Sequence, residues 1–107
     1  MTAEKFDAFQ VIADPSRRQM LKLLSKESLT INAIAENFDM SRPAVSKHIR
    51  ILYGAGFISI TEIGRERHCM LKQEGFDELQ NFINYFTKFW TTKLKRLESI
   101  LNNKQNN

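Results

Sequence analysis

The stretch from Ser41 to Leu52 constrains the fold of this chain more than any other segment. Serine is a residue type that caps helix starts, and Pro43 falls in the first predicted turn, where the missing backbone N–H is not needed. Val45, Ile49 and Leu52 recur at i, i+4 and i+7, the repeat of one apolar helix face. The stretch therefore predicts a capped amphipathic helix that packs on a core along one side.

The opposite face of this predicted helix is basic. No Asp or Glu occurs from Ser41 to Thr61, so no acid nearby in the sequence offsets its cations. Arginine and lysine bind phosphates and guanine edges, and serine can donate or accept a hydrogen bond. Such a face suits the major groove of DNA, and the solvated face of an ordinary surface helix is the alternative. The face consists of Arg42, Pro43, Ser46, Lys47 and Arg50.

Size and charge fit one small nucleic-acid-binding domain. The chain has 107 residues, and its net charge of +4 with a pI near 9.4 favours polyanionic partners. A single cysteine excludes an intrachain disulfide and suits a reducing cytosol. The first residues lack the apolar run of a signal peptide, and no apolar run reaches membrane-spanning length. We therefore expect a cytoplasmic location and no membrane partner.

Three helices are predicted upstream. The first spans residues 4–13, with Phe6 and Phe9 on one side, and Asp14-Pro15 ends it and caps a second helix that runs to about Ser25. A third helix, capped by Ser28 or Thr30, is followed by a short turn and the Ser41–Leu52 helix. Two consecutive helices joined in this way form a helix-turn-helix. The inner face of the third helix is predicted from Ile31, Ile34, Ala35 and Phe38.

Arg17 and Arg18 lie at the start of the second predicted helix, where cations oppose the helix dipole. Their position therefore requires an explanation. A DNA phosphate is one candidate partner, and a salt bridge to Asp14 or Glu36 is an equally weighted alternative.

The segment after the helix-turn-helix changes period. Gly54-Ala55-Gly56 stops the helix, and residues 57–63 then alternate at period two, followed by a second strand over residues 66–71. Gly64 marks the turn, with Arg65 at the tip of the hairpin and Arg67 close behind. A hairpin in this place is the wing of a winged helix, and arginine at its tip can enter the narrow minor groove.

The last element is a helix predicted over residues 73–102, with a near-heptad apolar seam broadened by Phe82, Tyr85 and Phe89. A small domain cannot cover so wide a stripe, so part of it is expected to meet a second copy. Packing back on its own core is the alternative, and it accounts better for Phe76 to Ile83 than for Trp90 to Leu101. The tail from Asn102 to Asn107 is expected to be frayed. The seam comprises Phe76, Leu79, Ile83, Phe86, Trp90, Leu94, Leu97 and Leu101.

Four segments, taken in order, resemble the ArsR/SmtB family of bacterial repressors. They are residues 13–18, 41–49, 55–58 and 64–67, and the resemblance extends from Phe9 to the end of the chain. The aromatic-rich last helix resembles the subgroup without a metal site. The resemblance implies a dimeric winged-helix protein that represses transcription from palindromic operators, with a dimer built from the first and last helices.

The resemblance also implies roles for individual residues. Arg42, Ser46 and Lys47 match positions that face the major groove, whereas Pro43 departs from the Ser or Gln common there. His48 matches a characteristic histidine, for which packing or a phosphate bond is favoured over base recognition. The DNA-binding set is then Arg17, Ser41, Arg42, Ser46, Lys47, His48, Arg50, Arg65 and Arg67. The dimer set is Phe6, Phe9, Phe86, Phe89, Trp90, Leu94, Leu97 and Leu101.

Metal-binding and catalytic functions find little support. The family's metal sensors carry a Cys pair in the third helix or His and Asp ligands along the last, but residues 28–38 lack Cys and His and residues 73–107 lack His. His68 and Cys69 are adjacent on a predicted strand and so point to opposite faces. A structural thiol is favoured over a redox switch at Cys69. No phosphate loop or catalytic set is evident, so we expect no cofactor and no enzyme.

These observations together predict one α+β, mostly helical winged helix-turn-helix domain over residues 1–107, with about five helices and a hairpin wing. Residues 4–13 and 73–102 are its expected dimerisation helices. The predicted function is sequence-specific binding of double-stranded operator DNA by a homodimeric regulator, expected to be a repressor. A metal- or redox-responsive sensor of the same fold and a winged-helix protein-interaction module are the alternatives.

Overall fold

The computed structural model describes residues 6–105, which form five helices and a three-stranded sheet. The chain divides into a unit that ends at Asp77 and a second unit that begins at Glu78, and each is described by itself. In chain order the elements are α1 (Ala8–Ile12), α2 (Pro15–Leu24), β1 (Leu29–Thr30), α3 (Ile31–Ala35), α4 (Arg42–Gly54), β2 (Ile58–Ile63), β3 (Glu66–Leu71) and α5 (Gln73–Gln105).

Short polar side chains cap the first two helices. The Asp7 carboxylate accepts a hydrogen bond from the backbone N–H of Phe9 at 3.0 Å, so α1 begins later than the predicted residue 4. Glu4 and Lys5 lie outside the described residues. Asp14 accepts from the N–H of Arg17 at 3.1 Å, with Pro15 in the first turn of α2. The predicted boundary at Asp14-Pro15 is confirmed.

Strand β1 was not predicted. Leu29 pairs with Cys69 and Thr30 with His68, which places β1 at one edge of the antiparallel sheet β1–β3–β2. Two residues are too short to show an alternating pattern, so only pairing with β3 reveals the strand. Of the two predicted caps of α3, Thr30 is the one observed, because its Oγ1 accepts from the N–H of Ala33 at 3.1 Å.

Helix α4 ends in a left-handed stop. Gly56 has a φ of +79°, and its N–H donates to the carbonyl of Tyr53 at 3.1 Å. The N–H of Phe57 donates to the carbonyl of Leu52 at 3.0 Å, which completes a Schellman motif. The predicted stop is therefore confirmed, with Gly56 in the conformation that favours glycine.

The hairpin turn also needs a glycine. Ile63 of β2 pairs with Glu66 of β3, which leaves Gly64 and Arg65 as a two-residue connection. Gly64 has a φ of +65°, the sign that a type II′ turn requires at its first central position. The predicted wing is therefore present, and Arg65 lies at its tip.

The core of the first unit draws on α1 to α4 and both long strands. The inward stripe of α4 meets the base of β2, and Phe57 makes an edge-to-face contact with Phe76 at the start of α5, with ring centroids 5.0 Å apart. The buried apolar side chains are Ala8, Val11, Met20, Leu21, Leu24, Ile34, Val45, Ile49, Leu52, Phe57, Ile58 and Cys69.

The second unit is the continuation of α5 as one long helix. All residues from Gln80 to Asn103 are exposed, including Ile83, which lies in the part of the seam that packing on the chain's own core was expected to explain better. Fraying was predicted from Asn102, but α5 continues to Gln105, and residues 106 and 107 lie outside the described part. The larger apolar side chains, which are 43–70 % exposed, are Phe82, Ile83, Tyr85, Phe86, Phe89, Trp90, Leu94, Leu97, Ile100 and Leu101.

Candidate nucleic-acid interface

Helix α4 buries its apolar face and exposes its basic face, as the sequence predicts. Ser41 caps it by accepting from the N–H of Ala44 at 3.3 Å. Its apolar stripe, including Val45 and Ile49, is buried at the core, whereas Arg42, Lys47 and Arg50 are exposed. Burial of the stripe orients the helix, because apolar surface leaves water while charged heads remain hydrated.

A groove runs between α4 and the wing. One part of it is lined by Arg42, Ser46, Arg65 and Arg67, and the floor is formed by the end of β1 and the start of α3. An adjoining part is lined by Ser46, Arg50, Tyr53 and Glu62 among others. Ser46 and Arg67 line both parts, so the groove is continuous along the exposed side of α4.

The cations around this groove differ in their partners. The Nε atom of Arg67 lies 3.5 Å from Oε1 of Glu62, so the charge of Arg67 is partly compensated. Within residues 6–105, no ion pair engages Arg42, Lys47, Arg50 or Arg65. These four side chains remain available to an anionic partner.

Acidic side chains on the wing were not considered in the sequence prediction. Glu62 pairs with Arg67, and Glu66 lines the groove while its Oε2 lies 3.4 Å from Nε2 of His68. The wing therefore carries two acids beside its two arginines. The positive charge of the wing is concentrated at Arg65, because both acids lie on the paired strands and Arg65 lies in the turn beyond them.

Arg17 lies at the junction of α1 and α2, where its guanidinium bonds to the protein. Its Nε donates to the carbonyl of Val11 at 2.8 Å, and Nη2 donates to that of Gln10 at 3.3 Å. The alternative salt bridge to Asp14 is present as a long contact of 3.9 Å. The side chain is only 15 % exposed. Three of the five guanidinium N–H groups of Arg17 therefore have partners within the protein, counting the contact of Nη1 with His48.

Arg18 completes this arrangement. Its Nη1 donates to the carbonyls of Ile12 and Ala13, each at 2.9 Å. Together the two arginines satisfy consecutive carbonyls at the end of α1, which have no partners further along that helix. The positive charges of Arg17 and Arg18 oppose the helix dipole at the start of α2. They are favourable at the C-terminus of α1, where the dipole is negative.

His48 packs against the α1–α2 junction. Its Nδ1 lies 3.2 Å from Nη1 of Arg17, and the side chain is half-buried. Of the two roles predicted for His48, packing is the one that the structure displays. A single guanidinium thus links the carbonyl end of α1 to α4.

Sequence reasoning missed several residues around the groove. Thr30 and Asn32 reach its floor because β1 pairs with β3, and Tyr53 extends its lining beyond Arg50. Tyr53 is 55 % exposed, although its apolar ring lies one residue after the buried Leu52. Tyr53 could have been recognised from the sequence as a groove residue, because it lies on the predicted recognition helix. The residues of the groove floor could not, because they depend on strand β1, which is too short to recognise.

Cys69 is fully buried on β3, as expected for a structural thiol. Burial raises the pKa of the Cys69 thiol, which keeps it protonated and unreactive at neutral pH. Among the residues that the structure describes, no three His, Cys, Asp or Glu side chains are grouped to hold a metal ion. None of the helices within residues 6–105 combines the length and apolar character of a membrane span.

The cap at Asp14 yields a prediction for stability. Partial burial raises its pKa, but the backbone N–H and the charge of Arg17 outweigh this effect, so the pKa lies below the ordinary 3.8. The carboxylate therefore stabilises the fold at neutral pH, and this contribution is lost as pH falls through the lowered pKa. Asp14→Ala should reduce the free energy of unfolding by about 0.5–2 kcal/mol in urea titrations near neutral pH.

The control for this prediction is Asp14→Asn, which retains a side-chain acceptor at the cap and should be less destabilised than the alanine variant. The difference between wild type and Asp14→Asn should shrink in acid, because protonation then removes the charge from the wild type as well. A difference that stays constant across this pH range would show that the carboxylate charge does not contribute.

The fold and the groove define a winged helix-turn-helix DNA-binding protein. Helix α4 follows α3 and a turn, its exposed face carries cations, and the β2–β3 hairpin lies beside it as a wing.

Comparison with known proteins assigns the family. The model of the bacterial regulatory proteins of the arsR family matches residues 14–59. The transcriptional repressor SdpR of Bacillus subtilis (strain 168) is 37 % identical over an alignment of 82 residues, and the match covers 73 % of this chain and 91 % of SdpR. The chain belongs to the arsR family and is a DNA-binding transcriptional regulator.

Solved structures agree in fold. A crystal structure of an ArsR family transcriptional regulator, 34 % identical, matches with a TM-score of 0.74 over 79 % of this chain and 88 % of that one. A solution structure from Mycobacterium bovis, described as a homodimeric winged helix-turn-helix DNA-binding domain, is 20 % identical. It matches with a TM-score of 0.62 over 77 % of this chain and 76 % of that one. The predicted fold class, family and regulatory function are confirmed.

Proposed function

We propose that this chain represses transcription as a homodimer bound to a palindromic operator in the bacterial cytosol. The observation that carries the proposal is the groove between α4 and the wing, where Arg42, Arg50 and Arg65 have no ion-pair partner within the described residues. Free cations on a helix that can enter the major groove provide both phosphate affinity and base recognition. The similarity to SdpR, a transcriptional repressor, supports the direction of regulation.

The residues of α4, its cap and the wing take different roles in this proposal. Arg42, Ser46 and Lys47 face base edges in the major groove, Ser41 lies near a phosphate, and Arg50 contacts the backbone. At the wing, Arg65 enters the minor groove, and Arg67 lies behind it, held by Glu62. Arg17 and His48 act within the protein rather than at the DNA.

Dimerisation follows from the apolar stripe of α5. From Phe82 to Leu101 its apolar side chains are exposed along one side of the helix, a contiguous surface that soluble monomers rarely leave open. A second copy of the chain is the simplest partner to pack on this surface, since most soluble oligomers are two-fold dimers. We propose that α5 supplies most of this interface and that Phe6 and Phe9 contribute from the N-terminal segment. The domain from Mycobacterium bovis, which is described as homodimeric, supports dimerisation as such.

Selection of bound sequences from random duplex DNA tests the proposal. A two-fold dimer should enrich an inverted repeat whose half-sites are about 34 Å apart, one helical turn of B-DNA. Enrichment of a single, non-repeated site would contradict dimeric recognition, and no enrichment would favour a protein-interaction module. Selection with and without a chelator, together with metal analysis of the purified protein, separates the metal-sensor alternative. Selection with and without a thiol oxidant tests the redox-sensor alternative in the same way.

Arg42→Ala tests base recognition. Affinity for the selected duplex should fall by about 1–3 kcal/mol, with relaxed preference at one base pair, because a bidentate arginine contact to a base edge is lost. Equilibrium binding to the selected duplex and its single-base variants provides the measurement.

Arg50→Ala is the matched control for Arg42→Ala. It should weaken binding to selected and random duplexes alike and lower the salt slope by about 1, as loss of a phosphate contact does. The same uniform weakening from Arg42→Ala would place Arg42 on the DNA backbone and contradict its assigned role.

A further inference from the structure

Arg17 is held at the centre of a hydrogen-bonded junction between three helices. Its guanidinium reaches α1 through the carbonyls of Val11 and Gln10, at 2.8 and 3.3 Å. It reaches α4 through Nδ1 of His48, at 3.2 Å. Its own backbone N–H is bound to the Asp14 cap of α2 at 3.1 Å. The side chain is 15 % exposed, so solvent has little access to these bonds.

The link to His48 is distinctive among the contacts of α4. In the described part of the chain, no other side chain of α4 hydrogen-bonds to another element. The remaining attachment is the buried stripe that includes Val45 and Ile49. Apolar packing is non-directional, whereas a hydrogen bond weakens steeply when its angle is distorted. Burial of the stripe sets which face of α4 points inward, and the Arg17–His48 contact adds a directional constraint on the rotation of α4 about its axis.

We propose that Arg17 and His48 are a positioning pair that fixes α4 for base recognition without contacting DNA. The inference rests on the DNA-binding role proposed above. Arg42 and Ser46 precede His48 on the same helix, so a rotation of α4 displaces their side chains relative to base edges. Phosphate contacts tolerate such displacement better than paired hydrogen bonds to a base. Loss of the pair should therefore reduce specificity more than general affinity.

The chemistry of the pair requires a hydrogen-bond acceptor at position 48 and a guanidinium at position 17. A guanidinium has no acceptor, so Nδ1 of His48 must accept, and the ring proton then resides on Nε2. The planar guanidinium reaches three acceptors with three nitrogens in one fixed geometry, which the single ammonium of a lysine cannot reproduce. Asparagine at position 48 would keep an acceptor oxygen on the same carbon that bears Nδ1, whereas alanine would keep none.

The experiment compares four variants on the selected duplex and on a random duplex. Arg17→Lys and His48→Ala should each weaken binding to the selected duplex by about tenfold or more, with a change of no more than about twofold on random DNA, since a bond to a charged group is lost. His48→Asn should remain within about threefold of wild type on both duplexes, since the acceptor is retained. The salt slope should be unchanged in all three. Lys22→Ala, an exposed cation on α2, is the control and should behave as wild type.

Two results would overturn the inference. Equal weakening of binding to both duplexes in Arg17→Lys would show that Arg17 contributes general DNA affinity and not positioning; because lysine keeps the charge, the salt slope does not enter this comparison. His48→Asn behaving like His48→Ala would show that the acceptor has no role. Thermal unfolding of each variant identifies loss of fold, and the pair His48→Asn and His48→Ala remains informative if the Arg17 variant unfolds.

A measurement without DNA separates this inference from the proposed function. Nitrogen chemical shifts of His48 in the free protein should report the tautomer with the proton on Nε2, and Arg17→Lys should shift them toward a mixture. A wild-type protein with the proton on Nδ1 would contradict the pair even if no operator is found. An operator that is bound equally by all variants would contradict the pair alone and leave the proposed function standing.

Discussion

Replacing Trp90 and Leu97 together by aspartate should convert the protein from dimers to monomers and largely abolish operator binding. The two side chains are seven residues apart on one side of α5, and they are 56 % and 54 % exposed in the single chain. Four carboxylates would enter a two-fold apolar interface, where burial of unpaired charge is strongly unfavourable. Each recognition helix would then bind alone, which lowers affinity by about 10²–10⁴-fold when linked binding is lost.

The measurement is molar mass in solution, by sedimentation or light scattering, together with binding to the selected duplex. Asn84→Asp combined with Asn102→Asp adds the same charge on the opposite, polar side of α5 and should remain dimeric. Helical circular dichroism shows whether α5 persists in each double variant. Dimers of unchanged mass in the Trp90 and Leu97 variant would refute the proposed interface.

Phe57→Ala should produce the largest loss of stability of any single substitution considered, about 3–5 kcal/mol of unfolding free energy. The ring is fully buried and stacks edge-to-face on Phe76. It also fills the space that a side chain at Gly75 would need, since a Cβ there would lie 2.8 Å from the ring. Small domains are stable by only about 5–15 kcal/mol, so this variant should be partly unfolded near physiological temperature.

Tyr53→Ala is the control for this prediction, because it removes a ring of similar size that is 55 % exposed on the preceding helix. Its unfolding free energy should stay within about 0.5 kcal/mol of wild type. Urea titration followed by circular dichroism compares the two variants. Equal losses from both would show that Phe57 is not a central part of the core.

Loss of Phe57 should also impair DNA binding, because this residue joins the elements that build the groove. Its N–H donates to the carbonyl of Leu52 in the last turns of α4, and its carbonyl accepts from the N–H of Lys72 at 2.8 Å, just before α5. Alanine keeps these backbone bonds, so the expected effect comes from loss of the buried ring, which leaves a cavity beside Phe76 where the end of α4 meets the base of the wing. Weaker binding should appear even at temperatures where the variant is folded.

The elements that local chemistry specifies were all predictable. Asp14-Pro15 and Ser41 start helices because a short polar side chain satisfies an N–H that the helix leaves free. Gly56 and Gly64 stop a helix and turn a hairpin because both positions need a positive φ. The apolar repeat of α4 and the alternation of β2 specify which faces are buried. These signals act over a few residues, so a sequence contains them in full.

The partners of the polar side chains were not predictable in the same way. Arg17 could have bound a phosphate, Asp14 or Glu36, and the choice depends on how close the end of α1 lies to the start of α2 and to His48. Strand β1 forms only because β3 is beside it. A donor binds whichever acceptor the folded chain places within about 3 Å, and that distance is a property of the tertiary structure.

The sequence by itself therefore determined the winged helix, the outward face of α4 and the apolar side of α5, because periodicity and capping are local. Only the tertiary structure decided that Arg17 hydrogen-bonds to α1 and His48 and that Glu62 pairs with Arg67, while Arg42, Arg50 and Arg65 have no ion-pair partner among residues 6–105. The physical reason is that a charge is assigned by its neighbours in space, and those neighbours come from distant parts of the chain.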